Sequence, residues 1–230
     1  MPELIKRTLE TCTPGDGTLV VIDVLRAFST SAYAFASGAR EIIPVAGVRE
    51  ALELRQDHMP DALVMGELNG KPIPGYDLGN SPYDVMVRDL TGRRLIHRTS
   101  AGTQGLVRSI HAQTILAASF VCARATARRL RQLLSPRVAF VITGTAGQQE
   151  ADEDNSCADY IAALMEKDAV DPAPFLERVL NSYAGRDFMT RLEENMPRDL
   201  DLCLQADRFD FYQAVTMGDD GYLRIHTERS

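Results

Sequence analysis

The feature that most constrains this sequence is a repeated alternation between short apolar runs and longer runs with helical periodicity. The first apolar run, residues 18–24 (TLVVIDV), is almost unbroken, which is typical of a strand buried on both faces of a parallel sheet. Further strands are predicted at 41–45, 62–65, 94–97, 113–117 and 138–143, with helices at 29–37, 48–58, 119–134 and 155–167. Such alternation indicates βαβ crossovers. It predicts a three-layer α/β/α fold with a mostly parallel sheet.

The length of 230 residues fits one large domain, so we expect residues 1–230 to form a single α/β domain. Two α/β lobes, 1–117 and 118–230, are the alternative division. A long loop rich in glycine and proline is predicted at 66–80, and Ser81 and Pro82 after it are typical of the N-cap and first residue of a helix. The C-terminal third is less regular, apart from a predicted helix at 174–183 and a predicted hairpin with strands at 212–217 and 222–225.

Composition argues against several classes of partner. The formal net charge of -7 provides no basic surface for nucleic acid or for an anionic membrane. No apolar run approaches the 18 residues of a membrane span, and the first residues lack the apolar core of a signal peptide. The four cysteines are far apart and form no CxxC pair, which indicates reduced thiols rather than a zinc site. We therefore expect a cytoplasmic protein.

Ligands of open α/β sheets bind beyond the carboxyl ends of the strands, so the residues that follow each predicted strand are site candidates. Carboxylates, hydroxyls, glycines and one arginine collect there: Asp23, Arg26, Glu67, Ser100, Gly102, Thr103, Gly144, Thr145, Glu153 and Asp154. Magnesium prefers oxygen ligands and takes one or two carboxylates together with waters and phosphate oxygens. Glycines at strand-to-helix turns allow backbone N–H groups to approach a phosphate.

Asp23 and a further candidate, Cys157, each have two competing interpretations. Asp23 inside a strand is costly to bury unless it is paired, so it is either functional or part of an ion pair with Arg26 or Arg40. Arg26 can clamp a phosphate or sulfonate through two parallel hydrogen bonds. Cys157 follows an acidic stretch at a predicted helix start, which would lower the pKa of its thiol; it is a candidate nucleophile or a small buried residue.

Several named catalytic motifs are missing from the sequence. It has no G-x-x-x-x-G-K-[ST], no G-x-G-x-x-G after the first strand and no G-x-S-x-G. Asp23-Val24-Leu25 lacks the second aspartate of a D-x-D phosphatase motif. These observations exclude P-loop, dinucleotide-binding and α/β-hydrolase chemistry.

Five blocks of the sequence resemble, in order and spacing, those of the 2-phosphosulfolactate phosphatase (ComB) family of coenzyme M biosynthesis. They are VVIDVLRA at 20–27, MGE at 65–67, GYDLGNSP at 75–82, TSAGT at 99–103 and EDNSCA at 153–158. The resemblance implies an α/β fold, a Mg²⁺ cofactor, a homodimer, and hydrolysis of 2-phospho-3-sulfolactate to 3-sulfolactate and phosphate. It adds Asn80 of the second long block to the substrate-binding candidates.

Together, these arguments assign catalysis to Asp23, Glu67 and Cys157, and metal binding to Asp23, Glu67, Glu153 and Asp154. The attacking group remains open between a water and a covalent nucleophile. Ala101 stands where the resembled family usually has asparagine. This departure keeps two alternatives open, a different small anionic phosphoester as substrate or a catalytically silent anion-binding protein.

Overall fold

The computed structural model of the chain describes residues 2–11, 17–144, 151–191 and 195–229. In these ranges ten strands form one mixed sheet with helices on both faces. The strands are β1 (Glu3–Thr8), β2 (Thr18–Ile22), β3 (Glu41–Pro44), β4 (Leu63–Leu68), β5 (Lys71–Pro72), β6 (Arg94–Arg98), β7 (Thr114–Ala118), β8 (Arg137–Ile142), β9 (Tyr212–Met217) and β10 (Leu223–Glu228). The helices are α1 (Ala27–Ala36), α2 (Val48–His58), α3 (Pro82–Met86), α4 (Gly102–Arg108), α5 (Ala123–Leu133), α6 (Asp152–Glu166), α7 (Ala173–Asn181), α8 (Tyr183–Thr190) and α9 (Met196–Cys203), with a 3₁₀ turn at Phe120–Cys122 before α5.

The sheet consists of two parallel blocks joined by a hairpin. Its strand order is β1-β8-β2-β7-β9-β10-β3-β6-β4-β5. Pairing is parallel within β1-β8-β2-β7 and within β3-β6-β4, and it is antiparallel across β7-β9, β9-β10 and β10-β3. The expected α/β architecture with a mostly parallel sheet is confirmed. Strands of the two suggested lobes interleave, since β8 lies between β1 and β2.

Three antiparallel pairings in the centre make the two parallel blocks run in opposite directions along the strand order. Six strand-to-strand steps separate β2 from β4. Adjacent strands are rotated by about 20 to 25°, so the twist over six steps turns β4 by well over 90° relative to β2. This rotation accounts for the meeting of the carboxyl ends of β2 and β4 in one cleft, although the blocks are opposed in the sheet.

Strand β2 is buried on both faces, as its continuous apolar pattern predicts. Leu19 and Val21 belong to an apolar cluster that includes residues of α1. Val20 and Ile22 point to the other face and belong to a cluster that includes residues of α5 and α6. The two clusters on opposite faces of one sheet define the three layers.

The predicted elements agree with the structure best where local signals are strong. Helix α2 has the predicted bounds, and Ser81 caps α3 by accepting a hydrogen bond from the N–H of Asp84. The predicted loop at 66–80 is wrong at its start, because β4 continues to Leu68 by pairing with β5. Helix α6 begins three residues earlier than predicted, while β1, α8 and α9 were not predicted. Within the described ranges, none of the helices is long and apolar enough to cross a membrane.

Candidate active site

A cleft of about 620 Å³ opens where the segments after β2, β4, β6 and β8 approach α8 and α9. Six predicted site residues line it: Asp23, Arg26, Glu67, Asn80, Ser100 and Gly144. The predicted convergence of these segments is therefore present. Thr145, predicted to bind substrate, lies outside the described residues.

Asp23 follows β2 directly and is buried. Its Oδ1 accepts a hydrogen bond from the N–H of Ala27 at 2.9 Å, and the N–H of Gly102 also donates to this carboxylate. Burial raises the pKa of Asp23 to about 8, with further contributions from the charges of Asp154 and Glu67. An acid with its pKa in this range is unusual outside functional sites.

Glu153 lies close enough to Asp23 for their charges to interact, because α6 begins at Asp152 and carries Glu153 in its first turn. Burial raises the pKa of Glu153 to about 7, and the charge of Asp23 adds to the effect. Oε2 of Glu153 is buried and has no hydrogen-bond partner among the described residues. An unpartnered buried carboxylate oxygen is costly without a ligand, which makes it a candidate for binding a cation.

Asp154 joins the ends of β2 and β8. Its Oδ1 accepts a hydrogen bond from the N–H of Val24 at 2.8 Å, and its Oδ2 accepts one from the N–H of Gly144 at 2.9 Å. Burial and the charge of Glu153 raise the pKa of Asp154 to about 7. Asp23, Glu153 and Asp154 are called the acid cluster below. Within it, Asp154 braces the two strand ends, and Glu153 keeps an oxygen free.

Glu67 holds the β4–β5 turn against the loop that follows β6. Its two carboxylate oxygens accept hydrogen bonds from the N–H groups of Ser100 and Gly70, each at 2.5 Å. The carboxylate lines the cleft. Glu67 therefore both holds the β4–β5 turn in place and contributes a carboxyl group to the wall of the cleft.

The backbone N–H groups predicted to cradle a phosphate are already used within the protein. Those of Gly102 and Gly144 donate to the acid cluster. Thr103 is buried, its N–H donates to Thr99 Oγ1 at 3.0 Å, and its hydroxyl accepts from the N–H of Thr99 at 2.8 Å. These contacts correct the prediction, since the three residues position the acids and close the loop after β6.

Arg26 is bonded to Asp199, not to Asp23. Nη1 of Arg26 lies 2.6 Å from Oδ2 of Asp199, and both side chains are buried. Arg40, the other suggested partner of Asp23, pairs with Glu41 at 2.9 Å. The ion-pair explanation of the buried Asp23 is therefore wrong. Arg26 lines the cleft as a fixed cation with further N–H groups for an anion.

Asp199 is a site-supporting residue that the sequence prediction missed. Besides Arg26, it accepts hydrogen bonds from the hydroxyl of Ser81 at 2.7 Å and from the N–H of Tyr83 at 3.1 Å. A signal was present, because an aspartate on the apolar face of a helix is costly unless it is paired. The other buried residues of that face of α9 are Met196, Leu200 and Cys203.

Cys157 does not have the environment predicted for a nucleophile. Its side chain is fully buried in the apolar cluster beneath α5 and α6. Burial, with the charge of Asp154 as a further cause, raises the pKa of the thiol well above its usual value. The predicted lowering of this pKa is wrong, because the helix begins earlier and places Cys157 in the core.

The charges of the cleft bear on whether a metal ion fits. Among the residues that the structure describes, three carboxylates and two guanidinium groups line it: Asp23, Glu67, Asp187, Arg26 and Arg191. Among the described residues, no three His, Cys, Asp or Glu side chains are grouped as a complete ligand set. Mg²⁺ needs one or two carboxylates, and Asp23 and Glu153 with its unpartnered oxygen fit that requirement.

Comparison with known proteins identifies the family. The model of the 2-phosphosulpholactate phosphatase family matches residues 3–217. The chain belongs to this family. A probable 2-phosphosulfolactate phosphatase of Bacillus subtilis is 34% identical over 170 residues, which is 74% of this chain and 73% of the relative. Another, of Thermotoga maritima, is 30% identical over 217 residues, 90% of this chain and 93% of the relative. The resemblance of the five sequence blocks is thereby confirmed, and the chain is a phosphoric monoester hydrolase by family.

Proposed function

We propose that this protein hydrolyses 2-phospho-3-sulfolactate to 3-sulfolactate and phosphate in a Mg²⁺-dependent reaction. The observation that carries the proposal is the buried acid cluster beside a cleft that also contains the fixed guanidinium of Arg26, in a chain of this family. The family match does not favour the catalytically silent alternative. The scattered thiols support a cytoplasmic location, and the sequence resemblance supports a homodimer, which light scattering in solution would test.

Charge is the main argument for the metal. Asp23 must be ionised to bind a metal, and the described residues that line the cleft then carry three carboxylates against two guanidinium groups, which disfavours binding of a phosphate dianion. Mg²⁺ would supply the missing positive charge at the phosphate. Asp23 and Glu153 would hold it, because Glu153 has a free buried oxygen and both oxygens of Asp154 already accept backbone hydrogen bonds.

The remaining groups have distinct roles in the proposed reaction. Arg26 binds the phosphate in one orientation, because Asp199 fixes its guanidinium. Glu67 faces the cleft and orients a water for in-line attack. The competing route is attack by the Asp23 carboxylate itself, which would form an acyl phosphate. Cys157 has no part in either route.

The test is phosphate release from 2-phospho-3-sulfolactate with Mg²⁺ and with a chelator. We expect Mg²⁺-dependent turnover that Asp23→Asn abolishes, while the matched variant Asp57→Asn, at an exposed position of α2, retains it. Turnover unaffected by the chelator would contradict the metal proposal, and no phosphate release under either condition would contradict the activity.

A second measurement separates the two routes. A single turnover stopped with acid should yield no phosphorylated peptide if water attacks. A phosphopeptide that contains Asp23 would establish the covalent route instead.

A further inference from the structure

One face of helix α8 forms the wall of the cleft beside Glu67 and the β4–β5 turn. Tyr183, Asp187 and Arg191 line the cleft from this helix, and their spacing of four residues places them on the same face. Phe188 also lines the cleft, and its ring lies 5.3 Å from the guanidinium carbon of Arg26. The wall therefore carries one cation and one anion beyond those expected from the sequence blocks.

The side chain of Arg191 approaches the β4–β5 turn. Arg191 follows the last residue of α8, and its Nη1 would lie 3.8 Å from a Cβ atom placed on Gly70 of that turn. The same Gly70 donates its N–H to Glu67. The guanidinium thus lies near a residue that contacts one of the site carboxylates.

The two arginines of the cleft are held very differently. The Arg26 pair with Asp199 measures 2.6 Å, and the side chains are 6% and 0% exposed. The Arg191 pair with Asp187 measures 3.4 Å, and the side chains are 40% and 38% exposed. A long, solvated pair of this kind adds little stability and exchanges partners readily, whereas the buried one is fixed.

We propose that Arg191 selects phosphoesters that carry a second anionic group, and that Asp187 occupies its guanidinium until that group arrives. The inference rests on the proposed phosphatase activity of the same cleft. A sulfonate or carboxylate matches the fork of N–H groups on arginine better than a single carboxylate oxygen at 3.4 Å does. Asp187 increases the preference for such substrates, because a phosphoester without a second anionic group cannot displace Asp187 from Arg191 and so gains nothing from the arginine.

The test compares three substrates that differ in the group next to the phosphoester. These are 2-phospho-3-sulfolactate, 2-phospholactate without the sulfonate, and 4-nitrophenyl phosphate without either acidic group. The measured quantity is the ratio of kcat/KM for each acidic ester to kcat/KM for the aryl ester. Comparison of the two acidic esters shows whether sulfonate or carboxylate is the group that Arg191 binds.

We expect Arg191→Gln to lower the ratio for 2-phospho-3-sulfolactate at least tenfold, mainly through KM, and Asp187→Asn to raise it several-fold. Arg186→Gln is the matched control, since Arg186 lies on the same helix at an exposed position outside the cleft. Opposite signs for the two cleft variants are not expected of a helix-stabilising ion pair. Equal losses on all three substrates in Arg191→Gln, or a lowered ratio in Asp187→Asn, would overturn the proposal.

A binding measurement keeps this result separate from the proposed activity. If the native protein hydrolyses none of the esters, the proposed function has failed. Calorimetric titration with 3-sulfolactate in Mg²⁺ buffer then tests Arg191 alone. At least tenfold weaker binding by Arg191→Gln is expected, and unchanged or undetectable binding in both proteins would overturn the inference.

Discussion

Replacement of Glu153 by glutamine should stabilise the metal-free protein at neutral and alkaline pH. The side chain is buried and its Oε2 has no hydrogen-bond partner among the described residues, so the amide removes a buried negative charge beside Asp23. Burial raises the pKa of Glu153 from 4.5 to about 7. The ionised carboxylate therefore costs the folded state free energy that the neutral amide does not.

The sign and size follow from proton binding. Between pH 4.5 and about 7 the folded protein keeps a proton on Glu153 that the unfolded chain has released, so native stability falls as pH rises through this window. At about 1.4 kcal/mol per pKa unit, the full cost is about 3 kcal/mol at pH 8 and about 1 kcal/mol or less at pH 5. Because the charges of the acid cluster are coupled, we expect a measured gain of about 1 to 3 kcal/mol at pH 8.

The assay is urea unfolding followed by far-ultraviolet circular dichroism in the presence of a chelator, since the chain contains no tryptophan. Glu166→Gln, at the exposed end of the same helix, is the control and should change stability by less than about 0.5 kcal/mol. Saturating Mg²⁺ should narrow or reverse the gap, since a ligand at 100 times its Kd adds about 2.7 kcal/mol to the native protein alone. A Glu153→Gln variant less stable than the native protein at pH 8 in chelator would refute the reasoning.

Three further predictions concern residues in and around the site. Gly66→Ala should lower the free energy of unfolding by about 3 kcal/mol or more, because Gly66 has a φ of 142° and an added Cβ would lie 1.8 Å from the carbonyl oxygen of Arg98. A urea midpoint equal to that of the native protein would contradict this prediction. Burial lowers the pKa of His97 from 6.5 to about 3, so only the unfolded chain binds this proton as the pH falls below 6.5. The free energy of unfolding should therefore fall by about 1.4 kcal/mol for each pH unit below 6.5. Urea unfolding at pH 7.5 and 5.5 should show a smaller difference between the two pH values for His97→Gln than for the native protein. Arg26→Lys should raise KM about tenfold, or about 1.4 kcal/mol, because lysine cannot bind Asp199 and an anion through a planar fork; unchanged kinetics would make Arg26 structural.

The parts of the fold that sequence could predict are those governed by local pattern. Strand β2 and helix α2 follow from unbroken and amphipathic periodicity, and α3 follows from Ser81 and Pro82. The predicted start of α6 is three residues late, because a run of acidic residues is as typical of an exposed loop as of the first turn of a helix. The position of the C-terminal hairpin in the middle of the sheet depends on pairing between residues far apart in sequence, and periodicity does not report it.

The candidate site divides in the same way. Asp23 and Glu67 could be found because they follow strands, and the cleft does contain both. The hydrogen-bond acceptors of the backbone N–H groups could not be predicted. The N–H of Gly102 donates to Asp23 because α4 packs against β2, which is a contact between residues far apart in sequence. Asp199 and the cleft-lining face of α8 could not be placed either, because helices outside the βαβ alternation have no strand end to mark their position.

The position of the β9–β10 hairpin has a consequence for biosynthesis. Among the described strands, this hairpin alone connects the block that carries Asp23 to the block that carries Glu67. Both blocks are translated before it, so a nascent chain on the ribosome exposes two unpaired sheet edges until residues 212–228 leave the exit tunnel. Catalytic competence is therefore acquired only after residues 212–228 have emerged, and a chain truncated before residue 212 should be a substrate for chaperones and proteases rather than a partly active enzyme.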